Sequence, residues 1–196
     1  MQYKLLNTDT LYSGFFQLKR YELSNELFQG GWSEPFCREI FERGHAAAVL
    51  LFDPKLEKLV FVEQFRPGAI VTEKSPWLIE LVAGIIEEGE SPEQVARRES
   101  IEECGGKVLG LKKICEYLVS PGGSTERIFL YLGEIDSTKV SNFAGLKLEH
   151  EDIKIHVVDL QIAFKWLDQG RLNNAMTIIA MQWLKLNLPN KASFWK

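Results

Sequence analysis

The residues best suited to chemistry crowd into one short segment around Glu99, Glu102 and Glu103. Upstream, Ser91 precedes Pro92, and Gln94 stands three residues after the serine, the order of a helix cap, a first-turn proline and a capping box. Downstream, Gly105-Gly106 provides a stop. This spacing predicts a helix from about Pro92 to Cys104. On that helix, at about 100° per residue, Glu102 lies about 60° to one side of Glu99 and Glu103 about 40° to the other. Three carboxylates on an arc of roughly 100° repel one another. They read either as a solvated acidic face or as an oxygen-donor site for a hard divalent cation. Arg98, four residues before Glu102, is placed to pair with it.

The elements that must hold this segment are mostly strands. Phe16 to Leu23 alternates imperfectly and is followed by the Gly30-Gly31 turn. Ala46–Phe52 and Lys58–Phe65 read as a hairpin around Asp53-Pro54-Lys55-Leu56-Glu57. Trp77–Ala83 reads as one apolar strand ended by Gly84, and Lys113–Val119, Arg127–Glu134 and Ile153–Val158 as three more. The C-terminal third turns to helical spacing, with Ile162, Phe164, Trp166 and Leu167, then Ala175, Ile178, Ile179, Met181 and Leu184. Strands around a central helix, with helices following, predict an α/β fold with a mixed sheet covered by helices.

With 196 residues, 45% of them hydrophobic, the chain can bury one catalytic core with a smaller N-terminal appendage. A net charge of −4 speaks against a broad nucleic-acid surface, and a phosphate-bearing substrate would need a cation to reverse the local sign. No apolar run of about 18 residues or secretion-type start is present, so the expectation is a soluble cytoplasmic protein without membrane contact. Cys37, Cys104 and Cys115 are widely separated and predict reduced thiols. Cys104, near the helix C-terminus, lacks the N-terminal dipole that activates thiols. His45 and His156, at or inside apolar strands, are expected to form structural hydrogen bonds, and His150 to tune neighbouring carboxylates. The tryptophans read as core or dimer material.

Gly84, five residues, Glu90, seven residues, Arg98-Glu99, two residues, Glu102-Glu103, one residue and Gly105 resemble the Nudix box. Ser100 and Gly106 depart from the aliphatic residues of that pattern; both are packing positions. Beyond the box, Thr10–Phe16, Arg38–Ala47, Glu63–Arg66, Ser120–Gly123 with Pro121, and Glu149–Ile153 resemble bacterial ADP-ribose pyrophosphatases.

The resemblance implies a Nudix α/β/α sandwich over residues 45–196 and a β-strand extension over 1–44 that serves dimerisation and the partner's site in a homodimer. It implies Mg-dependent hydrolysis of ADP-ribose to AMP and ribose 5-phosphate, with Mg2+ or Mn2+ at two or three ions per site. Metal ligands would be the Ala83 carbonyl, Glu99, Glu103, Glu102 and Glu151. Catalytic carboxylates would be Glu149 as base, with Glu151 and Glu102. Substrate contacts would come from Phe15 on adenine and from Arg38, Glu39, Arg66, Gly122 and Glu126. Taken singly, Phe15 reads equally as core, the arginines as surface ion pairs, and the Glu149–Glu151 segment as a solvated acidic turn. Two alternatives stand beside this expectation: a Nudix hydrolase of another nucleoside diphosphate derivative, such as a nucleotide sugar, a dinucleotide or NADH, and a non-catalytic ADP-ribose sensor.

Overall fold

The computed structural model describes residues 1–146, 148 and 150–195. The chain divides into two compact units, one formed by Met1–His45 with Tyr117–Arg127, the other by Ala46–Glu116 and the chain from Ile128 onward.

In the first unit, β1 (Tyr3–Ser13), β2 (Gln17–Asn25) and β3 (Phe36–Glu42) pair antiparallel in that order. Apolar alternation reveals only β2. Nearly every residue of β1 is exposed, so no buried face imposes a pattern on it, and β3 is likewise mostly exposed. The expected turn at Gly30-Gly31 is present, both residues at positive φ, 90° and 81°. The segment Tyr117–Arg127 attaches to β3: Phe41 N–H donates to the Gly123 carbonyl at 2.8 Å, and Phe41 forms a parallel bridge with Ser124. Two side-chain bonds reinforce this joint, from Tyr21 Oη and Thr125 Oγ1 to the Glu42 carboxylate at 2.9 and 2.6 Å. They hold its pKa below the usual value even though burial acts the other way.

In the second unit, β4 (Ala46–Asp53), β5 (Lys58–Phe65), β6 (Trp77–Glu80), β7 (Val82–Ile85), β8 (Gly110–Leu118), β9 (Arg127–Glu134), β10 (Phe143–Ala144) and β11 (Ile153–Asp159) make one mixed sheet. Its order is β10-β11-β5-β4-β9-β8, with β6 on β5 and β7 on β4. The β4–β5 turn is held by Asp53, whose carboxylate accepts from Lys55 and Leu56 N–H, 3.0 Å each, and from Ser137 Oγ at 2.7 Å.

Residues Ala47 to Phe52 of β4 have no exposed surface. Period-two alternation sends Ala47, Val49 and Leu51 into a core with Val95, Ala96 and Cys104 of α1 (Pro92–Cys104). The opposite face meets α2 (Leu160–Asp168) and α3 (Ala175–Asn187), where Phe61 lies 6.3 Å from Trp166. Helices on both faces of a mixed sheet give the expected α/β/α sandwich.

The strand expected over Trp77–Ala83 is in fact two. β6 pairs with β5, and β7 leaves to pair with β4, with the fully buried Leu81 at the crossing. Gly84 therefore lies inside β7, not beyond its end.

Candidate active site

Local chemistry fixes α1 as its sequence predicts. Ser91 Oγ accepts from Gln94 N–H at 3.3 Å, and Gln94 Oε1 accepts from Ser91 N–H at 2.8 Å, completing the capping box. At the other end Gly105 takes φ 70°; its N–H reaches the Ile101 carbonyl and Gly106 N–H the Ser100 carbonyl. The two departures from the box pattern are accommodated. Buried Ser100 returns its hydroxyl to the Ala96 carbonyl at 2.7 Å, and a Cβ on Gly106 would stand only 2.3 Å from Ile135 Cδ1, so Ile135 already fills that space.

Arg98 organises the acidic face. Its Nε and Nη2 fork onto Glu90 at 2.9 and 3.1 Å, while Nη1 donates to Glu99 and Glu102, both at 2.8 Å. One guanidinium thus restrains three carboxylates that would otherwise splay apart. Hydrogen bonding to Glu90 is the main cause of the raised arginine pKa, and the same bond lowers that of Glu90.

Glu103, one turn further, is 3% exposed and accepts from Ala83 N–H at 3.1 Å. Burial pushes its pKa up to about 8; the Ala83 bond and Arg66 oppose this, and the charges of Glu99 and Glu151 add to it. Burial also raises Glu99, against the pull of Arg98. Glu99 lies so close to β7 that a Cβ on Gly84 would stand 1.7 Å from its Oε1. Gly84 is therefore the recess that admits the Glu99 carboxylate to the backbone of Ala83 and Gly84.

Among the described residues no three carboxylate, imidazole or thiolate side chains already converge as a metal cage. Arg98 draws Glu99 and Glu102 to itself, and Glu103 turns to a backbone N–H. The donor set nonetheless fits a hard divalent cation: three carboxylates share one face of α1, with Glu103 buried, Glu99 and Glu102 half-buried, and burial raising the pKa of Glu99 and Glu103.

Glu151 enters from the segment before β11. Its Oε2 accepts from Leu146 N–H at 3.5 Å, and the turn around it uses positive φ at Gly145 (105°) and His150 (57°). Glu149 lies outside the described residues. Arg66, at the end of β5, donates Nε to Glu80 Oε2 at 2.6 Å, and the other Glu80 oxygen accepts from Asn174 Nδ2 at 2.9 Å. The structure thus gathers Ala83, Glu99, Glu102, Glu103, Glu151 and Arg66 within the second unit.

The remaining expected residues belong to the first unit. Phe15, 86% exposed in the β1–β2 turn, is not core; its ring stands edge-on to Phe16 at 4.7 Å. Arg38 on β3 lies over Phe36 at 4.7 Å and donates to the Cys37 carbonyl, with no ion pair among the described residues. The Glu39 backbone faces Gly123, and space around Gly122 is open. Glu126 is 7% exposed and pairs with Arg43 at 3.2 Å.

His45 accepts from Arg127 N–H at 3.2 Å and His156 meets Glu63 at 2.8 Å, the structural bonding expected of both. Cys104 is buried with its thiol pKa pushed up to about 11, in keeping with an inert residue. Glu80 as the partner of Arg66, and Asn174 as the partner of Glu80, were not legible beforehand: 94 residues separate Glu80 from Asn174, and neither carries a local pattern.

The sequence profile of the NUDIX domain matches residues 42–176. An ADP-ribose pyrophosphatase of Escherichia coli K12 is 48% identical over 184 residues, covering 94% of this chain and 88% of its own length. An ADP-ribose pyrophosphatase of Haemophilus influenzae is 44% identical over 196 residues, covering 98% of this chain and 90% of its own. A crystal structure titled as an ADP compounds hydrolase superposes with a TM-score of 0.70 at 18% identity, covering 95% of this chain and 96% of that one, a likeness of fold.

Proposed function

The chain belongs to the NUDIX family, and on that footing we propose that it hydrolyses ADP-ribose to AMP and ribose 5-phosphate with the aid of Mg2+ or Mn2+. What carries this reading is the reach of the likeness to ADP-ribose pyrophosphatases of two organisms. It runs over almost the whole chain, far beyond the metal-binding segment that all such hydrolases have in common.

In this reading Glu99, Glu102, Glu103, Glu151 and the Ala83 carbonyl hold two or three ions. When bound, such ions supply Lewis acidity toward water and the diphosphate oxygens. Arg98 keeps Glu99 and Glu102 side by side on one face of α1, and the two carboxylates exchange part of that arginine contact for the cation on binding. Glu149 takes the proton of the attacking water, whose oxygen adds to one phosphorus. The bond from that phosphorus to the bridging oxygen breaks, and the electron pair leaves with the departing phosphate. Arg66 donates to diphosphate oxygens, as a forked cation suits.

Phe15 stacks on adenine, and Arg38, Glu39, Gly122 and Glu126 complete the substrate contacts, with Phe15 and Arg38 serving the partner's site in a homodimer. Support for dimerisation comes from β1, a long edge strand whose Tyr3, Leu5, Leu11 and Tyr12 are all exposed. A cytoplasmic location is in keeping with three free cysteines, and no helix of the described chain is long and apolar enough to cross a membrane.

The test is incubation with ADP-ribose in magnesium and, separately, in excess chelator, followed by separation of the nucleotides. AMP formed only with magnesium supports the reading. Binding of ADP-ribose without AMP would replace it with a sensor role, and absence of binding would overturn ADP-ribose as the ligand.

A further inference from the structure

Arg66 is held from behind by a relay that crosses most of the sequence. Glu80, 4% exposed, lies on β6 next to β5 and takes Arg66 Nε on one oxygen. Its second oxygen accepts Asn174 Nδ2, and the same Asn174 side chain, through Oδ1, accepts Thr177 N–H at 2.9 Å as the N-cap of α3. Asn174 therefore spends both ends of its amide on fixed structure. Glu80 in turn spends both oxygens, one on each neighbour.

Arginine has five N–H donors in a rigid plane. Occupying Nε from the sheet side fixes that plane and leaves the two terminal nitrogens without partners among the described residues. The relay lines a cleft of about 370 Å3 that also takes in Thr72, Glu73 and Asn173.

We propose that Glu80 and Asn174 are positioning residues for the reaction: they set the plane of the Arg66 guanidinium so that its terminal nitrogens point as a fork toward the diphosphate of the substrate. The proposal rests on the ADP-ribose hydrolase reading above. Left alone, an arginine at a strand end samples many rotamers. The relay removes that freedom before substrate arrives, so the interaction is preorganised and does not have to be ordered on binding. It also explains why a nearly fully buried carboxylate is kept at Glu80, where an apolar residue would pack at less desolvation cost.

The discriminating variant is Asn174→Ser. Serine is as good a helix cap as asparagine but is too short to reach Glu80 as well. The melting temperature should fall by only a few degrees, as for the loss of one hydrogen bond, while kcat/KM for ADP-ribose falls by roughly tenfold or more. In an Arg66→Ala background, Asn174→Ser should add little, because the residue acts only through the arginine. Glu80→Gln, which leaves one acceptor for two donors and removes the charge that faces Nε, should cost at least as much as Asn174→Ser. Full activity of Asn174→Ser, or losses that simply multiply in the double variant, would overturn the proposal. Wild-type turnover of ADP-ribose in the same assay tests the underlying reading separately: its absence refutes that reading, whereas its presence beside an unaffected Asn174→Ser refutes only the relay.

Discussion

The behaviour of single carboxylates decides how this site responds to metal and pH. Glu103 is buried, resists ionisation for that reason, and is bonded to one backbone N–H. Glu103→Gln keeps shape and packing, so it should fold with an unchanged melting temperature yet lose turnover by at least roughly 100-fold, since even residues that only support a ligand are worth 10- to 100-fold. Near wild-type rates in a steady-state assay would remove Glu103 from the ligand set. Its raised pKa also has a thermodynamic sign. The folded, metal-free protein holds this proton up to about pH 8, whereas the unfolded chain releases it near 4.5. The stability this gives is complete below pH 4.5 and declines as pH rises toward 8. Cation binding must displace the proton, so the stabilisation by magnesium should grow over the same interval. Melting curves with magnesium and with chelator from pH 5 to 9 should diverge as pH rises; parallel curves would mean that Glu103 is not coupled to the metal.

At the level of elements, α1 and β7 form a single device: the strand supplies a recess and the helix fills it with Glu99. Gly84→Ala would drive a methyl group into that carboxylate, the flexible end of a side chain, so the fold should survive while kcat drops by roughly tenfold or more. Ser91→Ala provides the opposite signature, a loss of about 1 kcal/mol of stability with the rate unchanged. Calorimetry and initial rates on the two variants separate helix position from helix stability. Much of this was legible beforehand, because α1 is built from local signals: cap, proline, carboxylate spacing and glycine stop all lie within the segment. β4, β5 and β9 were legible because the buried stretch in each is a continuous apolar run. β1 and β3 were not, since little of either is buried, and the β6–β7 break was hidden because a strand can exchange partners without changing its hydropathy. The hold on Arg66 depends on residues 94 positions apart and lies beyond any reading by local pattern.

For the molecule as a whole, the proposed homodimer with shared sites predicts an outcome that no single chain can give. Inactive Glu103→Gln subunits mixed with inactive Arg38→Ala subunits should regain part of the wild-type rate, because one site of each mixed dimer would be intact; no recovery after demonstrated subunit exchange would count against shared sites. The joint between β3 and Tyr117–Arg127 adds a constraint of another kind. Glu42 can take Tyr21 at once but must wait for Thr125, 83 residues further along, before its second hydrogen bond can close. At roughly 5–20 residues per second on the ribosome, that is several seconds during which β1 to β3 leave the exit tunnel without their final partner. Throughout that interval β3 presents unpaired backbone N–H and C=O groups along its free edge, so the early chain is the stage at which a nascent-chain chaperone has most to protect.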